Sequence, residues 1–120
     1  MREKIDFRGA NVLEIGCGAA TRIEQIALHT HVKAIVAAEI DAIAHNKNLG
    51  KQVNKVRFES FGAQQIPYES ESFDVVIMLK SLHHIPGTMM RQSLREIHRV
   101  LKMGGLAYLS EPVFQGELNE

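Results

Sequence analysis

Cysteine is nearly missing from this chain: Cys17 stands alone among 120 residues. An intrachain disulfide is therefore excluded, and a reducing compartment is the default expectation. An excess of charge of either sign is missing too, since fourteen Lys and Arg balance fourteen Asp and Glu. That balance gives no electrostatic reason to expect nucleic acid or an anionic membrane as a partner. Long apolar runs are absent. The longest, such as "VVIML" at 75–79, falls far short of a bilayer span, and "MREKIDFRGA" carries no signal-peptide core. There is no internal repeat, low-complexity tract or linker. These absences leave a cytoplasmic single-domain chain, 45% hydrophobic and 23% charged, long enough to bury one modest core.

What is present alternates between two hydrophobic periods. "NVLEI" (11–15) is a short apolar run between glycines, as a buried strand would be. Residues 20–29 place Ile23, Ile26 and Ala27 at helical spacing. "KAIVAAE" (33–39) reads as a second buried strand. Asp41 is placed to cap a helix running to Leu49, with Gly50 as its stop. "NKVRFES" (54–60) alternates polar and apolar residues, as an edge or half-buried strand does. Residues 61–72 form a loop containing Pro67. "FDVVIML" (73–79) is the strongest strand. Met90, Leu94, Ile97 and Leu101 mark a helix face expected to end at Gly104-Gly105, and "LAYLS" (106–110) is a fifth strand. The alternation predicts an α/β fold: a doubly wound, mainly parallel sheet with helices on both faces.

Such sheets bind ligands at the carboxyl ends of their strands, beside the first strand. "GCGAA" (16–20) sits there. Gly16 and Gly18 permit positive φ and close approach of a ligand to the backbone, and the next helix points free N–H groups into the same crevice. Glu39 ends the second strand, where a carboxylate can accept from both ribose hydroxyls of a nucleoside. Two nucleoside classes compete. A dinucleotide turn reads G-x-G-x-x-G, but its last position is Thr21. Glu14, two residues before the first glycine, would suit an ammonium or sulfonium ligand better than a pyrophosphate.

"VLEIGCGAA", "IPYESESFDVVIMLKSLHHIP" and "LREIHRVLKMGGLAYLSEP" together resemble class I S-adenosylmethionine-dependent methyltransferases, nearest to the small-molecule type 11 group, over about residues 10–112. The resemblance implies S-adenosylmethionine as cofactor, S-adenosylhomocysteine as product and a small-molecule acceptor. It implies that Gly16, Cys17 and Gly18 line the methionine part of the cofactor and that Glu14 holds its amino group. Glu39 would take the ribose hydroxyls and Ile40 would pack on adenine. The Ala63 backbone N–H would meet an adenine ring nitrogen, and the Leu79 carbonyl would meet the ammonium. Gly62 stands where the family places an acid against the adenine amino group, a polar contact worth about 0.5–1.5 kcal/mol. Ala20 replaces the third glycine. The sheet would also lack the family's last strands, so residues 1–120 read as one truncated or minimal cofactor-binding core. The rival readings are a non-catalytic binding or interaction module and a nicotinamide oxidoreductase.

Other constellations promise less. His83 and His84 follow the fourth strand and are weak candidates for a general base, needed only for a protonated acceptor. His29 and His31 lack a third metal ligand, so no metal site is expected. Cys17 lacks a partner base and reads as a loop filler. Arg91, Arg95, Arg99 and Lys102 read as one solvated helix face. The strand-five edge, "GLAYLS", carries no lysine or bulge signal, so the chain is expected to self-associate through it, most simply as a homodimer, or to be poorly stable alone.

Overall fold

The computed structural model describes residues 6–78 and 87–109. Five strands and three helices follow in the order β1 (Asn11–Ile15), α1 (Thr21–His29), β2 (Ala34–Ala38), α2 (Ala42–Leu49), β3 (Val56–Glu59), β4 (Phe73–Met78), α3 (Gly87–Val100) and β5 (Leu101–Leu109). The strands form one sheet in the order β3-β2-β1-β4-β5, and every pairing is parallel. The chain moves outward from β1 to β3, then returns to the other side of β1 for β4. The reversal lies between β1 and β4, so a crevice opens above the end of β1.

Strand alternation explains the two cores. Val12, Ile35, Val75 and Ile77 face α1 and pack with Ile23 and Ile26. Their neighbours Leu13, Val36, Val76 and Met78 face the other way and pack with Ile97 and Val100 of α3. Successive side chains leave opposite faces of a pleated strand, so a strand covered on both sides must be apolar throughout. The interior strands meet that demand. β3, at one edge, is only partly buried, as its mixed sequence predicts. Asp41 caps α2 by accepting from the Ala44 N–H at 2.9 Å, and the helix ends at Leu49.

One boundary differs from the sequence expectation. α3 stops at Val100, and Leu101 already pairs with Phe73 as the first residue of β5. Leu101 fits the helical period and a strand equally well; pairing with β4 decides between them. Gly104 and Gly105 do not end the helix. They lie in a bulge where β4 advances from Phe73 to Val75 while β5 advances from Leu101 to Leu106. A Cβ on Gly105 would stand 2.9 Å from the Asp74 carbonyl oxygen, so only glycine fits there. Two expectations for this strand change with it: β5 contains Lys102, 3.5 Å from Asp74, and it opens on a bulge. Its outer side carries no partner strand among the described residues.

Candidate functional site

The turn after β1 is built by backbone contacts to β2. The Gly16 and Cys17 N–H groups both donate to the Ala38 carbonyl, at 2.8 and 3.0 Å. Gly16 (φ +74°) and Gly18 (φ +57°) are left-handed, which L side chains rarely adopt. Gly18 is tied on both sides. Its N–H donates to Glu39 Oε1 at 2.7 Å, and its carbonyl accepts from Asn48 Nδ2 at 2.8 Å. Asn48 is fully buried in α2 and was not anticipated from sequence. The available signal was a poor helix former at the buried position of a short helix. Ala20 also takes a left-handed conformation, φ +64°, just before α1.

Two buried carboxylates bracket this turn. Glu39 accepts from the N–H groups of Gly18 and Asp41, the latter at 2.9 Å through Oε2. Glu14 is 2% exposed. Its Oε2 accepts from Arg22 Nη1 at 2.8 Å, while Oε1 is buried with no hydrogen-bond partner. Burial pushes the Glu14 carboxyl above its ordinary range, and Arg22 only partly offsets this. Arg22 is a second residue that sequence reading missed. Its turn-to-turn reach back to β1 follows from the geometry of the glycine loop. The Cys17 thiol is pushed up to about 12 by burial and by the charges of Glu14 and Glu39. Both effects favour the neutral thiol over the thiolate.

A cleft of about 1020 Å³ opens over these groups. Glu14, Gly16, Cys17, Gly18 and Arg22 form one wall, Glu39, Ile40 and Asp41 a second, and residues 61–64 a third, with Met78 at the end of β4. Ile40 is 67% exposed, an apolar surface offered to a ligand. Thus Glu14, Gly16, Cys17, Gly18, Glu39, Ile40, Gly62 and Ala63 line one space. Leu79, His83 and His84 lie outside the described residues.

The third wall is held from behind by α3. Arg99 donates to the Tyr68 and Ile66 carbonyls at 2.8 and 2.9 Å, and Glu96 Oε1 accepts from the Ile66 N–H at 2.9 Å. Gln92 Nε2 donates to the Gln64 carbonyl at 2.8 Å. The expectation of one solvated basic face is corrected here. Arg91 and Arg95 are exposed, but Arg99 anchors a loop and Lys102 belongs to β5. Periodicity cannot reveal this, because the loop's free backbone groups are what recruit Arg99.

The cleft's charge selects its ligand class. Glu14, Glu39 and Asp41 face a single guanidinium, that of Arg22. A pyrophosphate would meet repulsion from these carboxylates, whereas a cationic group would be attracted to them. Among the described residues no three His, Cys, Asp or Glu side chains converge to hold a metal ion, and no helix is long and apolar enough to cross a membrane.

Comparison with known proteins agrees with this chemistry. The family described as "Methyltransferase domain" matches residues 13–109. The chain is 28% identical to the methyltransferase GfsG of Streptomyces halstedii, over 98% of this chain and 44% of that protein. It is 32% identical to a demethylmenaquinone methyltransferase of Listeria monocytogenes, over 82% of this chain and 43% of that one. The solved structure of the YcgJ protein from Bacillus subtilis superposes with a TM-score of 0.72 at 27% identity, covering 93% of this chain and 51% of that one. The chain thus spans less than half the length of these curated relatives. A match from β1 through β5, on a fold with an acidic cleft at its glycine turn, places the chain in the class I S-adenosylmethionine-dependent methyltransferase family.

Proposed function

We propose that this chain is a cofactor-binding methyltransferase core that binds S-adenosylmethionine and passes its methyl group to a small-molecule acceptor in the cytoplasm. The observation that carries the reading is the buried, unpartnered Oε1 of Glu14 in a cleft where carboxylates outnumber cations. When bound, the cofactor supplies a methyl group on a sulfonium, open to in-line displacement. The protein's part is positioning. Glu14 Oε1 accepts from the amino group of the ligand. The Gly16–Gly18 backbone lies along its amino-acid part. Each Glu39 oxygen keeps acceptor capacity beyond its backbone N–H and takes the ribose hydroxyls. Ile40 packs on the base beside Gly62 and Ala63, and the Leu79 carbonyl meets the ammonium. His83 or His84 serves as base only if the acceptor must lose a proton. The alternative is a binding module without activity, which would take up the same ligand and transfer no methyl group.

Calorimetric titration with S-adenosylmethionine, S-adenosylhomocysteine and NAD side by side tests the ligand. The first two are expected to bind and NAD is not; NAD binding alone defeats the reading. Glu14→Gln separates charge from shape. It is expected to weaken S-adenosylhomocysteine binding about tenfold or more, since a charged acceptor is replaced by a neutral one. The same variant should unfold at a higher temperature than the parent at neutral pH. The sign follows from the raised carboxyl: its contribution to stability is full below the ordinary value of 4.5 and is lost as pH rises through the folded value. The difference between variant and parent therefore shrinks as pH falls toward 4.5. A less stable variant at neutral pH would mean that pairing with Arg22 outweighs burial.

Two chains pair through the outer side of β5 in this reading. The support is that β5 is an edge strand among the described residues, with Leu106 51% exposed. Sedimentation is expected to show a dimer that Leu106→Lys converts to monomer. A parent that stays monomeric over a wide concentration range removes the edge from consideration.

A further inference from the structure

Asn48 is a buried polar residue that the cofactor reading leaves unused. The Gly18 carbonyl can only accept, so the end of the Asn48 amide that meets it at 2.8 Å is Nδ2. Oδ1 is left buried with no hydrogen-bond partner. Asparagine is a poor helix former, and a buried oxygen without a partner destabilises the fold. Folding alone would therefore favour an apolar side chain in α2, so the residue is explained by what its other end holds. Lys51, just beyond α2, donates through Nζ to the next carbonyl, that of Ala19, and pairs with Glu24 at 2.9 Å. Neither Asn48 nor Lys51 lines the cleft, whereas Gly18 and Ala19 both do. Two successive carbonyls of the turn are thus drawn away from the ligand's side.

A trans peptide points its C=O and N–H in opposite directions, and no peptide bond is cis among the described residues. With the Gly18 carbonyl held toward α2, the Ala19 N–H of the same peptide faces the other way. It donates to no group among the described residues. We infer that Asn48 is a positioning residue: it locks the peptide between Gly18 and Ala19 so that this N–H is free to donate to the carboxylate of the ligand's amino-acid part. This rests on the cofactor reading above and deepens it, since it names the side chain that sets the polarity of the turn. A reversed peptide would turn the Gly18 carbonyl oxygen toward a cleft already rich in carboxylates. The ligand's carboxylate would then meet one more acceptor in place of a donor.

The experiment titrates the full chain, Asn48→Ala and Asn48→Asp with S-adenosylhomocysteine and with methylthioadenosine, which lacks the amino-acid part. Calorimetry gives the affinities, and NMR follows the Ala19 amide. In the parent, the Ala19 signal is expected to shift with S-adenosylhomocysteine and to stay in place with methylthioadenosine. Each variant is expected to bind S-adenosylhomocysteine about tenfold or more weakly, since a charge-assisted hydrogen bond is lost. Its affinity for methylthioadenosine stays within about threefold of the parent's, whereas a general loosening of the fold would weaken both ligands alike. Equal loss of both ligands in a folded variant overturns the assignment. Parent-like S-adenosylhomocysteine affinity does so too, as does an Ala19 signal that this ligand leaves unmoved in the parent. Where the parent binds S-adenosylhomocysteine alone, the Ala19 signal decides. Circular dichroism identifies a variant that fails to fold, and the other then decides; if neither folds, Asn48 serves the fold alone and the assignment falls. A parent that binds only methylthioadenosine overturns the assignment and leaves the nucleoside site standing. Binding of neither removes the cofactor site, and this inference with it.

Discussion

Glu39→Ala is expected to weaken S-adenosylhomocysteine binding by about 1–3 kcal/mol, roughly 5- to 150-fold. Two losses contribute. The ligand's hydroxyls lose a charged acceptor, and the Gly18 and Asp41 N–H groups lose the oxygens that hold them at 2.7 and 2.9 Å. The second loss is structural. Gly18 would then be held only through its carbonyl by Asn48, and the turn would sample other shapes. Thermal unfolding of the same variant should show a loss of about 1–3 kcal/mol, because two part-buried donors are left without acceptors. Affinity and stability must both be measured. If stability drops while affinity is unchanged, Glu39 is a clamp for the turn and touches no ligand.

Gly16→Val is expected to abolish detectable binding while the chain keeps its secondary structure at a lower melting temperature. Gly16 lines the cleft at φ +74°. A β-branched residue held there costs about 1–3 kcal/mol in backbone strain. Domains of this size typically hold about 5–15 kcal/mol in reserve, so the variant stays folded. The positive φ makes the substitution costlier to the fold than the bare spacing of glycines suggests. Titration decides the functional half of the expectation and circular dichroism the structural half. Parent-like affinity in the variant would remove the glycine turn from the site. Loss of secondary structure would make Gly16 a glycine of the fold alone.

What the sequence reveals of this fold and what it hides divide along the range of the forces involved. The strands of the sheet interior, the Asp41 cap and the glycine turn were legible because each is decided within a few residues: by burial on both faces, by a side chain reaching its own helix, or by a φ that other residues avoid. The alternation of these elements also implied the doubly wound sheet, and with it the place of the crevice. Glu14 and Glu39 were legible because a carboxylate at the end of a buried strand has nowhere to go except the crevice above it.

The contacts that shape the cleft were decided only in three dimensions. Asn48 reaches Gly18 from thirty residues away, and Arg99 reaches Ile66 from thirty-three. Those distances close only when α2 and α3 pack against the sheet in one register, which no local pattern encodes. The junction at Leu101 is of the same kind: helix and strand periods both fit it, and pairing with Phe73 chooses. The sequence alone therefore determined which backbone could form the pocket and that the carboxylates of Glu14 and Glu39 stand in it. Tertiary packing determined which side chains hold that backbone still, that Arg22 takes one oxygen of Glu14 and leaves the other bare, and that Gln64 stands beside Gly62. The physical reason is that buried polar groups must find partners wherever folding brings them, and those partners lie far along the chain.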